Sequence, residues 1–262
     1  MTESFKLGGR VVAITGAAGQ LGWQYGKAIR SAGGRVLALD RVDQVSDGKD
    51  MIAVKADITN RSELEAALAR CRDVFGAAPY GLINNAAIDS PPDAPIEENG
   101  PFETYPQASL EKVLAANVTG SVLCTQVFGQ AMAEQGAGSI VNISSTYGLV
   151  SPDQKLYEYR RQRGEQFYKP IGYSVSKSAV LNLTRYAATY WGARGVRVNT
   201  LTLGGVFNNQ DAEFLKAYTA RVPLGRMANA DEYNGAVLFL LSDASSYMTG
   251  SNLVIDGGWT AW

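Results

Sequence analysis

The sequence predicts an α/β fold in which one parallel sheet carries helices on both faces. Three observations lead to this prediction: strand-like and helix-like segments alternate along all 262 residues, the strand-like segments are mostly apolar, and no repeat or linker interrupts the alternation. A parallel sheet buries both faces, so its strands are continuously apolar, and its right-handed crossovers place helices on either side. We therefore predict a single doubly wound domain over residues 1–262.

The elements are predicted from two kinds of pattern. Short apolar runs rich in β-branched residues indicate strands, and apolar residues spaced three to four apart indicate amphipathic helices. The strands cover residues 10–15, 35–39, 51–54, 80–84, 139–143, 197–201 and 253–256. The helices cover about 21–32, 62–75, 110–134, 174–194 and 231–241. In the second helix, Ser62 and Glu65 have the S-x-x-E spacing of a capping box, which predicts its N-terminus.

Two polar segments break the alternation. Residues 88–108 are rich in proline and acidic residues, and residues 151–171 carry several charges and aromatic side chains. Loops of this length are usually functional or disordered. We expect both to lie on the substrate side of the domain.

The composition excludes several classes of site. The chain contains no histidine, so a Ser-His-Asp triad, a Cys-His dyad and a histidine-based metal site are impossible, and we predict no metal. Acid–base chemistry near neutral pH must then use a carboxylate, Lys, Tyr or Cys with a shifted pKa. Cys71 and Cys124 lack metal-type or redox-type spacing, so we expect both to be buried and reduced.

Charge and hydropathy predict the partners and the location. The net charge of −1 gives no overall attraction to nucleic acid or to an anionic membrane. No apolar run approaches the roughly 20 residues that span a bilayer, and the first ten residues lack the apolar stretch of a secretory signal. We expect a cytoplasmic protein that acts on a small molecule, with no nucleic-acid or membrane partner.

A glycine-rich turn predicts a dinucleotide site in a Rossmann-type sheet. Gly16, Gly19 and Gly22 follow the first strand and open a helix, where glycine lets the backbone approach a pyrophosphate on the helix N-terminus. Asp40 ends the second strand, 18 positions after Gly22, and is placed to bind an adenosine ribose. Its carboxylate would repel a 2′-phosphate, which predicts NAD over NADP, although Arg41 could accommodate that phosphate.

Asp57 follows the third strand, beside Ile58, and has two interpretations. It could bind the adenine amino group, with Ile58 beside it in the cofactor site, or it could simply cap a turn.

The residues Tyr173-Ser174-Val175-Ser176-Lys177 open a helix and form the best acid–base candidate. A spacing of four places Tyr173 and Lys177 on one helix face. A free tyrosine has a pKa of about 10, too high for a base at neutral pH. A nearby ammonium favours the tyrosinate, so Lys177 is expected to lower the pKa of Tyr173.

These motifs together resemble the short-chain dehydrogenase/reductase family over nearly the whole chain. The chain has the glycine-rich turn, NNAA at 84–87, NVTG at 117–120, two serines after SIVNI, YSVSK at 173–177 and DGG at 256–258. The resemblance implies a general acid/base, a serine that orients the substrate carbonyl, a lysine that binds the nicotinamide ribose and an asparagine that supports a proton relay. The matching residues are Tyr173, Ser145, Lys177 and Asn117. Ser145 is chosen over Ser144 because the family's serine lies three residues before a glycine, here Gly148.

The resemblance also implies further cofactor contacts. Asn84 and Ala86 would line the adenosine side, and the segment after Gly204 would reach the nicotinamide carboxamide through the Val206 backbone. Gln20 and Leu21, inside the glycine-rich turn, would lie beside the pyrophosphate. A homo-oligomer, most often a tetramer, is usual in the family.

Three features depart from the family pattern. Gln20 replaces a glycine found in many members, and Leu203 replaces the proline that usually precedes Gly204. In addition, 27 residues separate Ser145 from Tyr173, well beyond the usual spacing. The extra segment is rich in Arg and Lys, which suggests that it covers the substrate pocket and binds a polar, possibly anionic, substrate.

The interpretation favoured by the sequence is an NAD(P)-dependent oxidoreductase that interconverts a secondary alcohol and a ketone on a sugar-like substrate. Within the family, the long segment, GGVFNNQ and the ending DGGWTAW are most similar to the branch that modifies flagellin and makes sialic-acid-like sugars. Two alternatives remain open at this point: an NADPH-dependent 3-oxoacyl-carrier reductase, and a dinucleotide-sensing protein without turnover.

Overall fold

The computed structural model describes residues 3–43, 48–89 and 96–262. It contains a seven-stranded parallel sheet in the order β3-β2-β1-β4-β5-β6-β7. This confirms the doubly wound fold, and each predicted strand is present. The strands are β1 Val11–Thr15, β2 Arg35–Asp40, β3 Met51–Lys55, β4 Gly81–Asn84, β5 Gly138–Ser145, β6 Val196–Leu203 and β7 Asn252–Ile255.

Helices cover both faces of the sheet. They are α1 Gln20–Ser31, α2 Arg61–Phe75, α3 Gln107–Leu114, α4 Ser121–Gln135, α5 Glu158–Gln162, α6 Ile171–Trp191, α7 Ala212–Thr219 and α8 Asn234–Leu241. A turn of π-helix, Ala115–Gly120, separates α3 from α4, so the long predicted helix is two helices with a bulge between them. No helix in the described part of the chain is long and apolar enough to cross a membrane.

The two faces of the sheet have separate apolar cores. Strand β1 shows why, because Val11 and Ala13 belong to one core while Val12 and Ile14 belong to the other. Successive side chains of a strand point to opposite faces, and all five residues of β1 are buried. Cys71 and Cys124 lie in the first core as unpaired, buried thiols, as the sequence predicts.

The start of α2 corrects one prediction. The N-cap is Asn60, whose side-chain oxygen accepts a hydrogen bond from the Ser62 N–H at 3.1 Å. The Asn60 amide in turn donates to Glu63 at 2.8 Å. The predicted capping box of Ser62 and Glu65 is therefore wrong. Asn60 is an equally good cap, and it starts the helix one residue earlier.

Residues 151–171 also differ from expectation, because they are folded and share a third apolar core with α7 and the C-terminal segment. A 3₁₀ turn, Gln154–Tyr157, leads directly into α5. The Tyr157 ring lies 4.9 Å from the Phe167 ring and 5.6 Å from the Phe214 ring of α7, measured between centroids. Trp259, near the C-terminus, joins this third core by stacking on Tyr218 at 4.4 Å. We call residues 151–170 the insertion.

A buried ladder of polar side chains fixes the carboxyl ends of the central strands. Asn84, Asn142 and Thr200 are directly opposite one another on β4, β5 and β6. The Asn142 side chain accepts from Asn84 at 2.8 Å and donates to Thr184 of α6, also at 2.8 Å. Because buried polar groups are costly when unpaired, this ladder holds α6 in one position on the sheet.

Candidate active site

The turn between β1 and α1 is packed so tightly that its glycines are required. Gly16 has a φ of +65°, and a Cβ there would lie 2.9 Å from the Ala86 Cα. A Cβ at Gly22 would lie 2.2 Å from the Gly16 carbonyl oxygen, and one at Gly19 would lie 3.3 Å from it. The backbone at this helix N-terminus therefore carries no side chains at these positions, which the close approach of a pyrophosphate requires.

Asn85 braces this turn, a role that was not predicted. Its backbone N–H donates to the Thr15 hydroxyl at 3.0 Å, and its side-chain amide donates to the carbonyls of Thr15 and Gly16 at 3.0 and 3.1 Å. The Ala86 N–H shares the same hydroxyl at 3.0 Å. The NNAA motif at 84–87 thus ties β4 to the glycine-rich turn. Asn85, the second asparagine of this motif, is the sequence signal for this role.

The side chain of Asn84 points into the core. Asn84 is buried, and its amide donates to Thr125 at 3.0 Å and to Asn142 at 2.8 Å. A contact of Asn84 with the adenosine would therefore use its backbone, and its place in the cofactor site stays a prediction. Ala86 is held at the turn by the hydrogen bond from its N–H to Thr15 and by its close approach to Gly16.

Asp40 lies beside the glycine-rich turn. Its carboxylate accepts from the Ala18 N–H at 3.0 Å and from the Val42 N–H at 3.3 Å. An ionised carboxylate has about four acceptor positions, so two remain for ribose hydroxyls. Arg41 is exposed next to it.

Asp57 caps a turn, and its contact with the adenine amino group stays a prediction. One carboxylate oxygen accepts from the Thr59 N–H at 2.8 Å and from the Thr59 hydroxyl at 2.7 Å. These hydrogen bonds lower the pKa of Asp57, with a smaller effect from the charge of Arg41. Ile58 is buried under the π-turn, where a Cβ at Gly120 would lie 2.6 Å from its Cδ1.

Tyr173, Lys177 and Ser145 converge at the carboxyl end of β5. Tyr173 lies in the first turn of α6, and Lys177 follows one turn later. The Lys177 ammonium donates to the Ile143 carbonyl of β5 at 2.9 Å and lies 5.7 Å from the centre of the Tyr173 ring. Lys177 is only 5% exposed, and this burial lowers its pKa to about 8.

The pKa of Tyr173 lies above its ordinary value, contrary to the prediction that Lys177 lowers it. Burial raises the pKa of Tyr173, and the negative charge of Asp89 raises it further. A hydrogen bond with Ser145 lowers the pKa. Ser145 also accepts from the Tyr147 N–H at 3.2 Å, which fixes its hydroxyl. Ser144 is different: its hydroxyl is buried and donates to the Lys177 carbonyl at 2.8 Å.

Asn117 lies in the π-turn, a kind of bulge that is frequent at functional sites. Its amide donates to the Ile88 carbonyl and to the Ser176 hydroxyl, each at 2.9 Å. The oxygen of the same side-chain amide accepts a hydrogen bond from the Ile88 N–H at 2.7 Å. The side chain therefore fixes the segment after β4 against α6.

The segment after β6 is rigid although it lacks the family's proline. A Cβ at Gly204 would lie 2.8 Å from the Asp256 Cα, and the Tyr233 hydroxyl donates to the Gly204 carbonyl at 3.0 Å. Gln210 donates to the Val206 carbonyl at 2.8 Å. Hydrogen bonds thus supply the rigidity that Leu203 does not.

Gln20, the other departure from the family, spans the two sides of the cofactor groove. Its side-chain amide donates to the Phe207 carbonyl at 3.1 Å. The first residue of α1 is therefore joined to the segment that follows Val206.

A cleft of about 1050 Å³ lies between the glycine-rich turn, the end of β5 and the segment after β6. Its lining includes Gln20 and Leu21 of the turn, Gly204 and Val206 after β6, and Ser145, Tyr173 and Lys177. The insertion contributes aromatic and charged side chains. This cleft, together with the glycine turn and the carboxylate at the end of β2, fits a nicotinamide dinucleotide.

Comparison with known proteins agrees with this geometry. Residues 16–260 match the family model described as enoyl-(acyl carrier protein) reductase. The chain is 34% identical to galactitol 2-dehydrogenase (L-tagatose-forming) of Cereibacter sphaeroides, with 98% of each chain covered. It is 28% identical to the NADH-dependent L-xylulose reductase of Ambrosiozyma monospora, over 99% of this chain and 98% of that one.

A solved structure extends the comparison to the fold. The short-chain dehydrogenase from Leptospira borgpetersenii with bound NAD⁺ superposes with a TM-score of 0.86 at 33% identity, covering 99% of this chain and 96% of that one. The chain belongs to the short-chain dehydrogenase/reductase family. It is an NAD(P)-dependent oxidoreductase that interconverts secondary alcohols and ketones.

The packing of the glycine turn gives a direct test. Gly22→Ala places a methyl group against the Gly16 carbonyl, and overpacking of this kind costs about 1–3 kcal/mol of folding free energy. We expect fluorescence titration to show at least about tenfold weaker NADH binding, because the turn must shift. Gly26→Ala, one turn further along α1, is the matched control, since its Cβ would meet only one side-chain carbon at 3.9 Å. Equal NADH affinity in both variants would contradict the assignment of the turn.

Proposed function

We propose that this protein is an NAD(H)-preferring dehydrogenase of a neutral, polyhydric secondary alcohol, with Tyr173 as its general acid/base. The observation that carries the proposal is the meeting of Ser145, Tyr173 and Lys177 in a cleft with a polar substrate side. When bound, the nicotinamide cofactor supplies the hydride acceptor for oxidation and the hydride donor for reduction.

The chain's own residues handle the proton. Ser145 donates to the substrate oxygen and orients the carbon that carries it. Tyr173 takes the carbinol proton on its hydroxyl oxygen during oxidation and returns it during reduction. Lys177 supplies the positive charge that favours the tyrosinate.

The magnitudes favour this division of roles. Lowering the pKa of a tyrosine from about 10 to about 7 requires about 4 kcal/mol. Two unit charges about 6 Å apart interact by about 3 kcal/mol at an effective dielectric constant of about 20, and the Lys177 ammonium lies 5.7 Å from the centre of the Tyr173 ring. Before a substrate binds, the hydrogen bond from Ser145 also favours the tyrosinate, while burial opposes it. On this scale one ammonium supplies less than the whole requirement.

The remaining assignments concern the cofactor. The turn residues Gly16, Gly19, Gln20, Leu21 and Gly22 would surround the pyrophosphate, and Asp40 would bind the adenosine ribose. Lys177 would also bind the nicotinamide ribose, and the Val206 backbone would bind the carboxamide. Because the Asn117 side chain is engaged with Ile88 and Ser176, a proton relay at this position would use its backbone.

The charges in the cleft favour a neutral polar substrate. Three acidic and four basic side chains line it. The arginines of the insertion are paired, Arg160 with Glu165 at 2.6 Å and Arg163 with Asp211 at 3.0 Å. An anionic substrate would have to displace these partners. The prediction that the insertion binds an anionic substrate therefore loses its support. The relatives named for galactitol and L-xylulose support a polyol or a sugar over an acyl chain.

A homotetramer in the cytoplasm remains our prediction. Tyr186 and Tyr190 on α6 are 67% and 64% exposed, and their rings stack at 6.1 Å. Paired exposed aromatic side chains favour an interface between copies. Analytical ultracentrifugation would contradict this assembly if the purified chain sediments as a monomer at micromolar concentration.

Cofactor preference tests the role of Asp40. We expect fluorescence titration to show tighter binding of NADH than of NADPH, because the carboxylate repels a 2′-phosphate. Asp40→Ser removes the charge and should reduce this preference at least about tenfold, since one repulsive contact is worth more than about 1.4 kcal/mol. Asp57→Ser is the control, because that carboxylate caps a turn. A wild-type preference for NADPH would instead indicate that Arg41 determines cofactor preference. It would also favour the alternative function, an NADPH-dependent 3-oxoacyl-carrier reductase.

Turnover tests the role of Tyr173. Tyr173→Phe removes the proton acceptor, and we expect kcat for galactitol oxidation or L-xylulose reduction to fall about 10²–10⁴-fold, as loss of a general acid/base does. NADH affinity should be retained. Tyr247→Phe, at an exposed tyrosine outside the cleft, should keep full activity. A Tyr173→Phe enzyme with full activity would overturn the mechanism, and a wild-type chain that binds NADH without turning over any alcohol would favour the dinucleotide sensor.

A further inference from the structure

We infer that the ion pair between Asp89 and Lys169 recognises a hydroxyl group on the carbon next to the reacting one. The enzyme would then select vicinal diols for oxidation and α-hydroxy ketones for reduction. This inference rests on the proposed function and names its substrate class more closely. Asp89 and Lys169 are specificity-determining residues in this view, and neither takes part in the proton transfer.

Lys169 is held at the end of the insertion, four residues before Tyr173. The side-chain amide of Gln154 donates to the Lys169 carbonyl at 3.0 Å and accepts from the Lys169 N–H at 2.8 Å. This double clamp fixes the backbone from which the side chain extends. The Lys169 ammonium pairs with Asp89 and lies 5.0 Å from the centre of the Tyr173 ring.

Asp89 reaches the same place from the other side of the cleft. It follows Ile88, whose N–H and carbonyl are both bound by Asn117 at 2.7 and 2.9 Å. Each half of the ion pair is therefore attached to a backbone that side-chain amides hold in place. Such double support is typical of groups whose position matters for binding.

The two partners differ sharply in exposure. The Lys169 side chain is only 8% exposed, whereas the Asp89 side chain is 55% exposed. Both residues line the cleft. Burying an ammonium costs free energy, and only a well-placed partner recovers it. The Asp89 carboxylate is that partner, and it presents its negative charge to the cleft. Tyr147, Tyr173 and Lys177 line this cleft as well.

The chemistry of the pair matches a hydroxyl group. A carboxylate accepts hydrogen bonds and an ammonium donates them, so a hydroxyl can be bound as donor and acceptor at once. The pair carries no net charge, which suits a neutral ligand and penalises an anion. A substrate whose reacting oxygen contacts Ser145 and Tyr173 would place its neighbouring hydroxyl one carbon further on, toward Lys169.

Two other roles are distinguishable by measurement. A purely structural ion pair would change stability without changing selectivity. A pair that tunes Tyr173 would change the pH profile of kcat for every alcohol alike. Recognition of a neighbouring hydroxyl changes the ratio of kcat/KM between two alcohols that differ only in that group.

The experiment compares butane-2,3-diol with butan-2-ol as substrates of the full chain with NAD⁺. The variants are Asp89→Asn and Lys169→Met, of which the second removes the charge while retaining an unbranched side chain. Lys155→Met is the control, because Lys155 is an exposed residue of the same insertion. NADH titration of every variant checks that the cofactor site is intact.

We expect the wild-type enzyme to favour the diol, and both cleft variants to reduce that preference at least about tenfold, as loss of a hydrogen bond to a charged group does. Lys155→Met should leave it unchanged. An equal loss with both alcohols, a shifted pH profile or an unchanged preference would overturn the inference while the proposed activity stands. Wild-type enzyme that oxidises galactitol but neither butane alcohol would also overturn the inference alone, whereas enzyme that binds NADH but oxidises none of the three would overturn the proposed activity and this inference with it.

Discussion

The site depends on a reciprocal pair of hydrogen bonds between β5 and α6. The Lys177 side chain donates to the backbone of β5 at Ile143, and the Ser144 side chain donates to the backbone of α6 at Lys177. Each element thus binds the other's main chain, so α6 can neither rotate nor slide against the strand. Gly148 lets the chain after β5 approach α6 closely, because a Cβ at this position would lie 2.7 Å from the Lys177 carbonyl oxygen. Ser145 and Tyr173 face each other as a consequence.

The fold sustains a lysine that is unfavourable by itself. Burying the Lys177 ammonium lowers its pKa to about 8, so the charged form is less stable in the native protein than in an unfolded chain. The polar ladder through Asn84, Asn142 and Thr184 lies in the same region and adds satisfied hydrogen bonds between the sheet and α6. A rigid scaffold of this kind can retain a group that serves catalysis at a cost in stability.

Sequence reasoning succeeded where the pattern is local. Strands buried on both faces are continuously apolar, so every strand could be predicted, and the spacing of four placed Tyr173 and Lys177 on one face of a helix. The distance from Ser145 to Gly148 also separated the two serines, which the structure shows in different environments. Local rules failed where several residues compete for one role, as with Asn60 and Ser62 at the start of α2.

Contacts between distant residues could not be predicted. Tyr157, Phe214 and Trp259 belong to one aromatic cluster, yet about a hundred positions separate the first from the last. The side chain of Asn84 turns inward, where its amide nitrogen donates to Asn142 and Thr125. In the same way, the arginines of the insertion resembled free anion-binding groups until their acidic partners were located.

The links between the insertion and α7 have a consequence for how such enzymes can be altered. Arg163 binds Asp211 and Glu213 at the start of α7, and Asp153 binds Arg221 just after its end. The aromatic contact of Tyr157 with Phe214 adds to these links. The insertion and α7 are separated in the chain by a helix and a strand, yet they form one structural unit that can be exchanged only as a whole. Transplanting the insertion alone into a relative would leave its charges without their partners. Homologous recombination or loop grafting would therefore preserve a folded pocket only when both segments came from the same parent.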